Sequence, residues 1–175
     1  MTGNSMGAGH ASEEELSRWM QSYGSMLVGT CTALLGDVHQ AQDIVQETFI
    51  RAYQNRHRFR GGHENSEKAW LTRIAINLCR DQQRSKWFRW VDQRVPIEER
   101  TLAMPEADEE ARELYAAVQA LPAKYREAVL LSFYQNMSAD EIARVLHLSV
   151  SSVYRRISKA VQLLRKTLER WDFRG

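Results

Sequence analysis

The sequence predicts an all-α protein, built as two small helical domains joined by a flexible linker. Three observations predict it. Apolar residues recur at three- and four-residue steps through successive segments, which is the period of amphipathic helices. That periodicity breaks once, over residues 89–109, where Pro96 and Pro105 bracket an acidic, helix-poor stretch. Finally, 175 residues suffice for one domain or two small ones.

Charge divides the chain in the same places. The formal net charge is only +2, but its distribution is uneven. Residues 11–50 hold six acids against one base, and residues 51–94 hold eleven bases against four acids. Residues 95–115 carry seven acids and two bases, and residues 144–170 seven bases and one acid. Two basic regions separated by an acidic one suggest two nucleic-acid contacts joined by a segment that avoids DNA.

Residues 1–11, rich in Gly and Ser and without periodicity, are expected to be a disordered tail. The first domain is expected over 12–88. Its first helix carries Leu16, Trp19, Met20, Tyr23, Met26, Leu27, Cys31, Leu34 and Leu35 at helical steps, up to a stop at Gly36-Asp37. In the second, Ala41, Ile44, Val45, Thr48, Phe49, Ala52 and Tyr53 make the apolar stripe, opposite Asp43, Gln46, Glu47, Ile50 and Arg51. Gly61-Gly62 ends that region, and His63-Glu64-Asn65-Ser66 completes a polar loop. The third helix buries Trp70, Leu71, Ile74, Ala75 and Leu78. Arg73, Asn77, Arg80 and Arg84 share its polar face.

That face can hold a phosphate backbone through guanidinium groups while the amide reads a base edge. A solvated stripe of surface ion pairs is the plainer alternative. Trp70 falls on the apolar stripe and reads as core, whereas Trp87, Phe88 and Trp90 fit either a domain anchor or a partner surface.

Beyond the linker, which at about 20 residues can extend to roughly 65 Å, the second domain is expected over 110–172. Ala111, Leu114, Tyr115, Val118 and Leu121 mark one helix, ending at Pro122, and Ala123 to Tyr134 the next, with Ala128, Val129, Leu131 and Phe133 apolar. Ser138 to Lys166 then reads as a helix-turn-helix. Ser138 and Glu141 have the spacing of a capping box, the first helix breaks at Leu146-His147-Leu148, and Ser149 is an N-cap for the second. Val153, Ile157, Ala160, Val161, Leu164 and Leu168 bury one stripe of that helix. The other face offers Ser151, Ser152, Tyr154, Arg155, Arg156, Ser158 and Lys159, side chains able to reach phosphates and base edges in a major groove. A solvated basic helix in a bundle is the bland alternative.

Cys31 and Cys79 lie in apolar patterns without metal-ligand spacing and are expected to be reduced and structural. No apolar run approaches the roughly 20 residues of a membrane span, nor is there a signal-peptide core, so a cytoplasmic protein is expected. Without a metal cluster, phosphate loop or nucleophile–base pair in the sequence, neither a cofactor nor enzymatic activity is expected.

Two ordered motifs add to this reading. Leu35-Gly36-Asp37, Ala41 to Phe49 and Ala69 to Asp81 together closely resemble region 2 of the extracytoplasmic-function sigma factors of bacterial RNA polymerase. Leu121 to Glu127, Glu141-Ile142-Ala143 and Ser149 to Lys159 resemble region 4 of the same family, so the resemblance spans about residues 16–170. It implies that Asp43, Gln46, Glu47, Phe49 and Ile50 grip the core polymerase, with Phe49 also eligible for the core. It implies that Arg60 to Ser66, including His63 and Asn65, form the loop that captures a flipped base of the minus-ten element, beside Arg73, Asn77, Arg80 and Arg84. Ser149, Ser151, Ser152, Tyr154, Arg155, Arg156 and Lys159 would meet the minus-thirty-five duplex. The linker would thread the polymerase channel, and an anti-sigma factor, commonly membrane-anchored, would mask both domains. The sequence departs from the family at His147, Ser152 and Tyr154, where Gly, Thr and a basic residue are common; His147 must then adopt a turn conformation that Gly takes easily. A stand-alone helix-turn-helix repressor and an RNA-binding structural protein are the alternatives.

Overall fold

The computed structural model describes residues 10–61, 66–93 and 108–172. The order is α1 (Glu13–Leu35), α2 (Val38–Gln54), a single 3-10 turn (Arg56–Arg58), α3 (Ser66–Gln93), α4 (Glu109–Ala120), α5 (Ala123–Val129), a π turn (Leu130–Tyr134), α6 (Ala139–Leu146) and α7 (Val150–Asp172). No strand occurs among the described residues.

Local chemistry sets most of the helix ends. Ser12 caps α1 by accepting from the Glu15 amide at 3.1 Å, and Gly36, at φ 71°, closes it in the left-handed conformation. Asp37 then caps α2, accepting from the His39 and Gln40 amides at 2.9 and 3.1 Å. Those amides, Gln40 first, hold its carboxyl below the usual range. In the helix-turn-helix the capping box is reciprocal: the Glu141 amide donates to Ser138 Oγ at 3.2 Å and the Ser138 amide to Glu141 Oε2 at 2.7 Å. His147 ends α6 at φ 55°, ψ 50°, the turn conformation its place in the chain demands. Ser149 accepts from the Ser152 amide at 3.2 Å and starts α7.

Two stretches differ from expectation. α3 runs to Gln93, past the end expected at 88. Ala123–Tyr134 is not one regular helix: after Val129 the backbone widens into a π turn, with the Gln135 amide bonded to the Leu130 carbonyl at 3.0 Å. Leu130 and Leu131, at the start of the widening, are buried, while Phe133, read from the sequence as one of the helix's apolar residues, is turned outward and 63% exposed. Met20 of the α1 stripe is likewise exposed.

The core is shared by the two halves. Trp19, Leu27, Leu35, Leu71 and Ile76 belong to the same buried cluster as Leu131, Ile142, Val145 and Val153. A smaller cluster, Leu121, Val129 and Ala160, ties α5 to α7. Trp70, partly buried, packs edge-on to Trp19, with ring centroids 5.7 Å apart, and tilted against Phe59 at 5.1 Å, which seats it against the core.

α3 is therefore buried on two faces. Besides the expected stripe, Thr72, Ile76 and Cys79 are buried. Thr72 Oγ1 donates to Gln135 Oε1 at 3.0 Å, and Gln135 Nε2 donates to Thr30 Oγ1 at 2.8 Å, so one buried amide joins α1, α3 and the chain after the π turn. Lys68 donates to the Gln135 carbonyl. The last turn of α1 holds no basic side chain; its carbonyls accept from the Gly36 amide, from Gln83 of α3 at 2.9 Å on Leu34 O, and from the second half. Tyr115 donates to Thr32 O at 3.3 Å, Gln119 to Ala33 O, and Arg126 Nη1 to Leu34 O at 3.0 Å.

Candidate nucleic-acid interface

α2 presents the first candidate surface. Ile44, Val45, Thr48 and Ala52 face the core, which leaves Asp43 and Gln46 exposed and Glu47 half-buried on the opposite side. Glu47 accepts from Arg51 Nε at 2.7 Å, an exposed pair one helical turn apart that contributes little. Phe49 is a correction. It is 6% exposed, so it supports the helix from within and presents no surface to a partner. Ile50, by contrast, is 45% exposed and stands as an apolar residue on an otherwise polar face.

On α3, Arg73, Asn77 and Arg84 are exposed along one face, and Arg60 is exposed before the loop. His63 and Asn65 lie outside the described residues. Arg84 pairs with Asp81 at 2.6 Å in full solvent contact. Arg80 differs from its neighbours. Its Nε and Nη2 donate to the two carboxylate oxygens of Glu127 at 2.8 and 2.7 Å, and the side chains are 33% and 6% exposed. This bidentate fork raises the Arg80 pKa, chiefly through the hydrogen bonds themselves.

α7 presents the second surface. The Val153 and Ala160 side chains are buried, which turns Ser151, Tyr154, Arg155, Ser158 and Lys159 outward, with Ser152 and Arg156 half-buried. At its start Ser149 Oγ donates to Ser152 Oγ at 2.9 Å and lies 3.2 Å from Ser151 Oγ. Arg155 Nη2 donates to Ser152 Oγ at 3.0 Å. These hydroxyls and guanidinium groups form a donor-rich patch at a helix N-terminus, suited to phosphate and base-edge acceptors.

The structure brings part of the two surfaces together. A groove between the halves is lined by Arg80, Arg84 and Trp87 of α3, Lys124 and Glu127 of α5, and Arg156 of α7. Sequence reasoning missed Glu127, Arg126 and Gln135 as joining residues. The available signal was slight: Glu127 is an acid directly before the apolar Ala128-Val129, on a helix otherwise marked by Lys124 and Arg126.

Cys31 and Cys79 are both buried, and the Cys79 thiol is pushed up, first by its hydrogen bond with Cys31 and then by burial, as expected of structural thiols. No group of metal-ligating side chains occurs among the described residues, and no described helix is long and apolar enough to cross a membrane.

Comparison with known proteins finds a match for each half of the chain. Residues 19–89 match the family Sigma-70 region 2, and residues 111–164 match Sigma-70, region 4. The chain is 35% identical over 160 residues to the ECF RNA polymerase sigma factor SigW of Bacillus subtilis, covering 83% of this chain and 84% of that protein. It is 32% identical over 164 residues to SigL of Mycobacterium tuberculosis, covering 91% and 92% respectively. Its fold is that of the sigma factor RpoE of Bartonella quintana, solved in complex with the anti-sigma factor NepR, with a TM-score of 0.79, 23% identity and coverage of 89% of this chain and 98% of that one. The chain belongs to the extracytoplasmic-function sigma factors of the sigma-70 family, which direct promoter-specific transcription.

Proposed function

We propose that the chain binds core RNA polymerase through α2, opens the minus-ten element through α3 and the loop before it, and anchors on the minus-thirty-five element through α7. The observation that carries this reading is the presence, in the family's order, of two separate region matches, with Asp43, Gln46 and Ile50 on α2, Arg73, Asn77 and Arg84 on α3, and Ser151, Tyr154, Arg155 and Lys159 on α7 exposed. A repressor needs only the second.

The proposed contacts are Asp43, Gln46, Glu47 and Ile50 for the polymerase. Arg60, His63, Asn65, Arg73, Asn77, Arg80 and Arg84 serve the minus-ten strand. A flipped base costs a few kcal/mol of unstacking, which pocket contacts offset, so strand opening and sequence choice come from one event. Ser149, Ser151, Ser152, Tyr154, Arg155, Arg156 and Lys159 serve the minus-thirty-five duplex by positioning on phosphates and reading base edges. The division into residues 12–88 and 110–172 fits this split of labour, with the linker narrowed at its start by the extension of α3 to Gln93. The chain acts in the cytoplasm as a non-catalytic subunit, without cofactor or metal. An anti-sigma factor, possibly anchored in the membrane, is its proposed inhibitor, by likeness to the complex of RpoE with NepR.

Binding separates this reading from a repressor. The purified chain is expected to form a stable complex with core polymerase and to bind duplex promoter DNA weakly alone. Tight, sequence-specific duplex binding without polymerase supports the repressor.

A further inference from the structure

We infer that Glu15 and Arg18 of α1 are positioning residues for the minus-ten surface: through Arg56 and Glu67 they fix the two chain segments that carry it. Neither is among the proposed DNA contacts. The inference deepens the proposed function, because it rests on Arg60, Arg73 and Asn77 facing the minus-ten strand.

Two ion pairs reach across from α1. Arg18 donates a guanidinium fork to both carboxylate oxygens of Glu67, at 2.8 and 2.6 Å, in the first turn of α3. Three residues earlier, Glu15 accepts from Arg56 Nε at 2.8 Å, in the 3-10 turn that follows α2. The first two turns of one helix therefore hold the chain both where α2 ends and where α3 begins. The residues before α1 add a clasp on the same corner: the Ala11 amide donates to Tyr53 O at 3.0 Å, and the His10 ring lies 5.6 Å from the Tyr53 ring.

Aromatic rings join the two attachments. The Arg56 guanidinium lies 5.0 Å from the centre of the Phe59 ring, Phe59 packs on Trp70, and Trp70 packs on Trp19, the neighbour of Arg18. Arg60 directly follows Phe59, and Arg73 stands three residues beyond Trp70 on the same helix. A shift of either ring thus carries proposed DNA contacts with it. Readout through hydrogen bonds requires those contacts to be held within about 0.5 Å.

Charge argues against plainer roles. Arg18 is the one Lys or Arg among residues 11–50, and it is committed to Glu67. As a stabiliser the pair is weak, because the Arg18 side chain is 50% exposed and water screens it. Glu15 and Glu67 are no phosphate contacts, since carboxylates repel the nucleic-acid backbone. Acids beside a DNA-facing surface weaken its attraction for DNA. What they return is a fixed Arg56 and a fixed first turn of α3.

Those acids set the sign of the test. Holoenzyme is assembled from bacterial core polymerase and the full chain, and fluorescence anisotropy gives its affinity for a single-stranded minus-ten oligonucleotide, from a promoter the chain transcribes, and for single-base substitutions of it. Removing negative charge alone should tighten binding to all of them equally. Loss of positioning should instead narrow the gap between matched and substituted strands. Glu15→Gln and Glu67→Gln are each expected to reduce that affinity ratio by about fivefold, the low end of what one base-specific contact is worth. Affinity for core polymerase and for the minus-thirty-five duplex should not change. Arg18→Glu alone, which sets two carboxylates against each other, should also lower the ratio, and the exchange Arg18→Glu with Glu67→Arg should restore it. An unchanged ratio in either acid variant, uniform tightening, or an exchanged pair that recovers nothing overturns the inference. Should a single variant lose its helical circular dichroism, the exchanged pair decides: restored helicity with a restored ratio supports positioning, and no restoration contradicts it. Unmodified holoenzyme that binds every oligonucleotide equally would instead sink the functional reading, and the inference with it.

Discussion

His147 holds φ 55° and ψ 50° at the turn of the helix-turn-helix, a region where a side chain crowds the backbone. Glycine there relieves the crowding at some entropic cost in the unfolded chain. His147→Gly is accordingly expected to raise stability by about 0.5–1 kcal/mol in chemical denaturation, and a loss would mean the imidazole makes a compensating contact. Glu67 supplies a pH-dependent counterpart. Arg18 donates to it at 2.6 and 2.8 Å, and this fork is the main reason its carboxyl titrates below the ordinary glutamate value of 4.5. A depressed folded value means that the contribution is present above about that pH and is lost as pH falls through the folded value. Arg18 is half exposed, so solvent screens the pair and its worth stays below about 1 kcal/mol. Glu67→Gln should flatten the acid side of the stability curve by that amount; an unchanged curve contradicts the assignment. Both caps of the helix-turn-helix were legible in the sequence, because a capping box is a relation over three residues. Phe49 was only half legible: its position at the edge of the α2 stripe fits core or surface equally, and packing against distant residues decides it.

At the scale of elements, the proposed function gives α2, α3 and α7 one task each. Ile50→Asp on α2 is expected to weaken core polymerase binding at least about tenfold, roughly 1.4 kcal/mol, with stability changed by no more than about 0.5 kcal/mol. Binding at full strength would remove α2 from the interface. Asn77→Ala and Arg155→Ala should reduce initiation and leave the polymerase complex intact; loss of that complex in either variant would mean its face is misassigned. For Lys159→Ala, the salt dependence of minus-thirty-five binding in the holoenzyme should lose about one unit of slope. The faces of α2 and α7 could be read from periodicity alone, since each has one buried stripe and one wet face. α3 could not, because a second neighbour buries Thr72, Ile76 and Cys79 on a face that its sequence leaves mixed. The π turn was equally hidden. Nothing in Leu130 to Tyr134 marks the widened register, and its consequence appears only in the exposure of Phe133.

The whole molecule holds its two halves on one core, with contacts that join residues as far apart as Thr30 and Gln135. No local pattern encodes such an arrangement. The sequence shows two helical units and a break between them, and the docking depends on polar side chains that look ordinary until their partners are seen. Arg126 illustrates this, since it caps Leu34 of α1 as well as Gln119 and Leu121 at the end of α4. On the proposed reading, the molecule's two DNA-facing surfaces serve one promoter within the polymerase holoenzyme. Run-off transcription from a pool of genomic fragments, with bacterial core polymerase and the purified chain, tests this most directly. Discrete transcripts starting downstream of a shared pair of sequence elements, and absent without the chain, are predicted. Core polymerase that yields no promoter-directed transcript from any template in its presence would contradict the account.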